Sequence, residues 1–178
     1  MDRKKVVLFE ADRIKETVKR MGQEITEAYK GESVVAISLL RGSFVFAADL
    51  VREIKVPTVI DFMTTSSYGD KLETSGRVDI IHDLRTDLKD QNVLIIDDIC
   101  DSGYTLKAII NFVKEKNPKS VKTAVFLNKP SRRIVDVYPE FIGEEIEDLY
   151  VVGYGLNYGN FYRNCPYIFA FMDNEEKE

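Results

Sequence analysis

Residues 93–106 read VLIIDDICDSGYTL: four aliphatics, three aspartates within five positions, a glycine turn and the start of another apolar pattern. An unbroken aliphatic run marks a strand buried on both faces, as in a parallel sheet covered by helices. Carboxylates as close as Asp97, Asp98 and Asp101 repel one another unless a cation or hydrogen-bond donors compensate them. A buried strand that ends in uncompensated acids places them where open α/β sheets gather their ligands, at the carboxyl end of the strand.

The segments around this stretch support that placement. Ile14, Val18, Met21, Ile25 and Ala28 recur at helical spacing and predict a helix over residues 11–30, ended by Gly31. SVVAISLL (33–40) is a short buried strand. Ser43 is placed to cap a second helix whose buried face holds Phe44, Ala47, Ala48 and Val51. TVIDFM (58–63) and VDIIHD (78–83) predict strands on either side of the polar loop TTSSYGDKLETSGR. Leu106, Ile109, Ile110 and Val113 form a helix that stops before Pro118. SVKTAVFLN (120–128) is a strand, and FIG, LYVVGYG and YIFAFM supply shorter ones. Strands alternating with helices through short connections imply right-handed crossovers and a mostly parallel central sheet flanked by helices. The extra strands at the chain ends predict a small cap beside it. One domain over residues 1–178 is the expectation.

The chain carries 44% hydrophobic and 31% charged residues and a formal net charge of -5. That balance argues against nucleic acid as the main partner. No apolar run approaches the ~20 residues of a membrane span, and the N-terminal apolar stretch is too short for a secretory signal, so a cytoplasmic protein is expected. Cys100 and Cys165 fit no metal spacing and are read as reduced thiols. His82 is the single histidine, which removes any mechanism or metal site needing two. Acid–base work then falls to carboxylates, lysines or tyrosines.

After Asp97 and Asp98, DSGYT (101–105) turns into a helix and offers backbone N–H groups, the Ser102 and Thr105 hydroxyls and the positive helix terminus. Together these suit an anion, most naturally a phosphate. Read alone, DSG is better described as a helix-capping turn; the two carboxylates just before it at the same strand end favour the anion site. No Walker A pattern is present.

VLIIDDICDSGYTL closely resembles the phosphoribosyl pyrophosphate signature of the type I phosphoribosyltransferases. LLRGSFVFAADL (39–50), DFMTTSSYG (61–69), LNKPSRR (127–133) and YVVGYGLNYGNFYRN (150–164) resemble, in order and spacing, segments of the bacterial hypoxanthine phosphoribosyltransferase branch. The resemblance implies the type I phosphoribosyltransferase fold. It also implies transfer of ribose 5-phosphate from phosphoribosyl pyrophosphate to a 6-oxopurine with Mg²⁺. Asp97 and Asp98 would hold the ribose hydroxyls directly or through the metal, and Asp101, Ser102, Gly103, Tyr104 and Thr105 would cradle the 5′-phosphate. Asp101 would exchange a proton with the purine N7. Arg41 and Gly42 would lie in the pyrophosphate loop, which in the family often holds a non-proline cis bond; read alone, LRGS is as well described as a turn into a helix. Arg163 would bind pyrophosphate, and Ser67 and Tyr68 would open a lid over the reacting centre. Lys129 would contact the purine 6-substituent, Tyr150 would stack on the ring, and backbone groups of Val151 and Asn157 would read its edge. Relatives form homodimers or homotetramers, which is the expectation here.

Three positions depart from the family pattern. Asp97 stands where glutamate is common, Asn157 replaces an aspartate associated with a second metal, and Glu144 replaces an apolar residue. Two other classes compete. A phosphoacceptor receiver domain shares the VLIIDD pattern, but carries its acid pair near its start, and only 80 residues follow Asp98. An RNA-binding regulator of the same fold would be expected to show a basic face, against the acidic balance.

Overall fold

The structure, a computed structural model, describes residues 4–66, 79–82 and 84–172. Its elements are β1 (Lys4–Phe9), α1 (Ala11–Ala28), β2 (Val34–Leu40), α2 (Phe44–Glu53), β3 (Thr58–Ser66), β4 (Asp79–His82), β5 (Asn92–Cys100), α3 (Tyr104–Lys114), β6 (Ser120–Asn128), β7 (Phe141–Glu145), β8 (Val151–Val152) and β9 (Ile168–Met172). The central sheet runs β4-β3-β2-β5-β6-β7. β3, β2, β5, β6 and β7 are parallel, and β4 closes one edge antiparallel to β3. A second, antiparallel sheet of order β1-β9-β8 forms the cap from the two ends of the chain, and places the aromatic-rich segment 150–163 beside the main sheet.

The period-two alternation of β2 and β5 divides the core into two layers. Ala36, Leu94 and Ile96 face α1 and α2, where Val18, Met21, Ile25, Phe46 and Leu50 are buried. Val35, Ile37, Val93 and Ile95 face Leu106, Ile109 and Val113 of α3. The register sets Val35 beside Val93 and Ile37 beside Ile95, so neighbouring aliphatics meet on both faces.

α2 departs from the sequence expectation. Phe46, Ala47 and Leu50 are buried, whereas Phe44 is 45% exposed. The cause lies one residue before the helix. Ser43 is fully buried, its Oγ donating to Leu39 O (2.6 Å) and lying 2.8 Å from Ser38 Oγ. Residues 43, 46, 47 and 50 then share one helical stripe, which sets the phase. The Ser43 hydroxyl is spent on this bond and makes no cap bond to the helix N-terminus. Glu144, unexplained in the sequence, joins β7 to α1. It accepts from Arg13 Nε (2.9 Å) and Nη2 (3.2 Å) and from the Thr17 hydroxyl. Cys100 and Cys165 are free thiols.

Asp61, buried in β3, accepts from the backbone N–H of Phe62 (2.8 Å) at one oxygen and of Arg85 (2.9 Å) and Thr86 (2.8 Å) at the other. Burial alone would raise its pKa, but these donors outweigh burial and hold the carboxyl below its usual range. A depressed folded-state pKa gives stability that is complete above the unfolded value and is lost as pH falls through the folded one. Asp61→Ala strips three donors at ~1–3 kcal/mol each and should cost about 3 kcal/mol or more. Denaturant unfolding at neutral pH measures the loss, and the wild-type/variant difference should shrink below about pH 4.

Candidate active site

β2, β5 and β6 end side by side, and their carboxyl ends carry the site. Asp97 and Asp98 stand half-buried at the end of β5. Burial, followed by repulsion from Asp98, pushes Asp97 well above the usual carboxylate range. Burial also raises Asp98, although the Asp97 hydrogen bond, the backbone N–H of Asp98 and of Ile99 and the Arg163 charge oppose it. Asp98 N–H donates to Asp97 Oδ1 and Ile99 N–H to Asp98 Oδ1, each at 3.0 Å. Gly42, at the end of β2, lies against this pair: a Cβ there would come within 1.8 Å of Asp98 Oδ2. The Leu40–Arg41 peptide is cis, as the family resemblance implied, and Arg41 is exposed beside it.

After β5 the chain turns through Asp101 and Ser102 to Gly103, whose φ of 88° admits it as the N-cap of α3. A Cβ at Gly103 would meet Val137 Cγ1 at 2.6 Å, so the turn is closely packed underneath. No side chain caps α3. Asp101 is instead paired with Arg132, Nε to Oδ1 at 2.9 Å, which removes the reading of Asp101 and Ser102 as caps. Ser102, Tyr104 and Thr105 surround a helix N-terminus whose first N–H groups have no intrahelical acceptor. Arg133 braces the turn from below. Its guanidinium donates to the carbonyls of Val137 and Cys100 and to Asn128 Oδ1, and Ile134 N–H donates to Ser102 O.

Lys129 follows β6, and its backbone N–H donates to Cys100 O at 2.9 Å. Its side chain is only 8% exposed, and Nζ lies 3.9 Å from Asp101 Oδ2 and 3.8 Å from Asp148 Oδ1. Among the described residues the ammonium makes no hydrogen bond at all. Its three donors are open.

The cap overhangs this edge. Tyr150 is 60% exposed, sets its ring edge-on to Tyr158 and donates its hydroxyl to Asn157 O. Val151 is buried, paired with Ala170. Asn157 Nδ2 donates to Gly159 O, and among the described residues Oδ1 accepts no hydrogen bond. Arg163 Nη1 donates to Gly155 O at 2.6 Å, and a Cβ at Gly155 would strike Gly42 O at 2.1 Å. The cap, the segment Leu40–Gly42 and the acid pair therefore lie against one another. Ser67, Tyr68 and the rest of the expected lid lie outside the described residues.

Sequence reasoning assigned no role to Arg132, Arg133 or Asp148. The two arginines lie inside LNKPSRR, but their partners alone reveal what they do: carboxylates for Arg132, and backbone carbonyls and Asn128 for Arg133. Asp148 belongs to an acidic run that reads as solvated surface. Two adjacent acids, both raised by burial and Asp97 further by repulsion from Asp98, fit a hard divalent cation. Among the described residues no cluster of three or more His, Cys, Asp or Glu could enclose one. Mg²⁺ sites of this open kind take one or two carboxylates and complete the shell with substrate oxygens and water.

The model of the phosphoribosyl transferase domain matches residues 8–159. The hypoxanthine phosphoribosyltransferase of Escherichia coli strain K12 is 47% identical over 165 residues, covering 92% of each chain. The hypoxanthine-guanine phosphoribosyltransferase of Bacillus subtilis strain 168 is 43% identical over 162 residues, 91% of this chain and 90% of that one. The crystal structure of a Bacillus anthracis hypoxanthine-guanine phosphoribosyltransferase superposes with a TM-score of 0.91 at 39% identity, covering 96% of this chain and all of that one. The chain belongs to the phosphoribosyltransferase family, in the branch formed by the bacterial hypoxanthine and hypoxanthine-guanine phosphoribosyltransferases.

Proposed function

We propose that the chain transfers the 5-phosphoribosyl group of phosphoribosyl pyrophosphate to hypoxanthine or guanine, yielding the 5′-nucleotide and pyrophosphate. The observation that carries the base assignment is Lys129: a buried stem ending in an ammonium that, among the described residues, lies near two carboxylates but makes no hydrogen bond, beside the turn 101–105. An ammonium has donors only. It satisfies the O6 carbonyl of a 6-oxopurine and opposes the amino group of adenine.

The residues divide the work. The turn 101–105 and the α3 N-terminus bind the 5′-phosphate, while Arg41, the Gly42 backbone and Arg163 bind the pyrophosphate. Tyr150 stacks on the base, and Val151 and Asn157 read its edge through the backbone. The C1′–oxygen bond to pyrophosphate breaks as N9 of the purine bonds C1′, and Asp101 takes the N7 proton. Positive charge developing at C1′ needs water excluded, the role we assign to the loop containing Ser67 and Tyr68. Asp97 and Asp98 would hold Mg²⁺, with Asn157 Oδ1 toward a second site, and the ion would supply positive charge to the leaving group. Asn157 lacks the charge of an aspartate, so that second site would be weak.

We place the protein in the cytoplasm, because its polyanionic substrate does not cross a lipid core. Nucleic acid and membrane are not partners in this reading. Ile60 and Phe62, about half exposed on the same face of β3, suit an interface between two copies in a homodimer or homotetramer. Phe62→Glu should lower the oligomeric state in sedimentation equilibrium; an unchanged oligomer would place the interface elsewhere.

Pyrophosphate release with each base in turn tests the activity. Hypoxanthine and guanine should be used and adenine rejected by about 10⁴–10⁵, the discrimination of a site built on a hydrogen bond the analogue cannot make. Lys129→Gln should narrow the hypoxanthine-to-adenine ratio in kcat/KM, mainly through lost hypoxanthine activity. Asp101→Asn should lower kcat by about 10²–10⁴ with phosphoribosyl pyrophosphate binding retained. A variant that turns over like wild type would remove Asp101 from proton transfer.

The raised acids give a further test. A carboxyl whose folded pKa exceeds its unfolded value subtracts stability as pH rises from the ordinary carboxylate range through the folded value. Asp97→Asn should therefore raise the Tm of the ligand-free protein at neutral pH while lowering activity. Calorimetry at pH 5 and 8 should show the gain larger at the higher pH.

A further inference from the structure

Four charged side chains close a ring at the mouth of the site. Arg132 Nε meets Asp101 Oδ1 at 2.9 Å and its Nη1 meets Asp148 Oδ2 at 3.2 Å. Lys129 Nζ lies 3.9 Å from Asp101 Oδ2 and 3.8 Å from Asp148 Oδ1. Each carboxylate gives one oxygen to Arg132 and turns the other toward Lys129, so the signs alternate around the ring. The ammonium sits midway between two acceptors and is hydrogen-bonded to neither.

We infer that Asp148 and Arg132 are positioning residues that hold Lys129 and Asp101 apart, keeping the ammonium free for the purine O6 and the Asp101 oxygen free for N7. The inference rests on the roles proposed above for Lys129 and Asp101. With Asp148 gone, Lys129 keeps only the attraction of Asp101. The two close to hydrogen-bond distance, and base recognition and proton transfer are lost in one move. Arg132 has the complementary task. Its planar fork bridges two carboxylates, fixing the rotamer of each, which a single ammonium does not reproduce. The ring is not a stability device: the side chains of Arg132, Asp148 and Asp101 are 48%, 54% and 38% exposed, and exposed ion pairs contribute little.

The test is steady-state kinetics on Asp148→Asn, Asp148→Glu and Arg132→Lys, each also in the Lys129→Gln background. Asp148→Asn should lower kcat/KM for hypoxanthine about 10²-fold, the effect of misplacing a reacting group by ~1 Å. The KM for phosphoribosyl pyrophosphate and the Tm should not change. Asp148→Glu, which keeps the charge, should recover most of the loss, whereas Arg132→Lys should not behave as wild type. Because Asp148 acts through Lys129, Asp148→Asn should add nothing further once Lys129 is glutamine. Wild-type kinetics in Asp148→Asn, or an equal loss in both backgrounds, overturns the inference. A silent Lys129→Gln would instead strike the base assignment on which the inference rests, so the two failures are told apart.

Discussion

In the role we propose for them Asp97 and Asp98 must both be charged, yet burial drives both toward the neutral form, and repulsion from Asp98 adds to it at Asp97. The geometry around them follows from that conflict. Their backbone donors come from the strand itself, at Asp98 and Ile99, and Gly42 closes on Asp98 from the other side. Gly42 occupies that position because anything larger would displace the Asp98 carboxylate. Arg163 supplies positive charge from the cap without entering the sheet. The fold thus carries an electrostatic debt that ligands settle, the usual compromise between stability and function.

Segments whose fate is decided locally were legible in the sequence. β6 spans Ser120–Asn128 as its apolar run predicts, and α3 buries Leu106, Ile109 and Val113 of the four residues named for its face. Where the sequence misleads, a distant partner decides. The phase of α2 depends on Ser43 being drawn inward to Ser38 and Leu39, and no local hydrophobic count contains that bond. Glu144 is unintelligible without Arg13, 131 residues earlier.

The site divides in the same way. The acid pair, the turn after it and Lys129 were readable because family resemblance supplied roles that spacing alone could not. The structure then adds what no motif states: Asp101 spends one oxygen on Arg132, and Asn157 ties its amide nitrogen to Gly159. Both are choices among several possible partners, made by the path of the chain through 129–133 and 157–159.

The packing of Gly155 against Gly42 bears on how products depart. A Cβ at Gly155 would reach Gly42 O at 2.1 Å, and Arg163 grips the Gly155 carbonyl from the far side. A displacement of the cap therefore drags on the Gly42 backbone, to which we assign pyrophosphate binding. On that assignment the departures of the two products would be geared together.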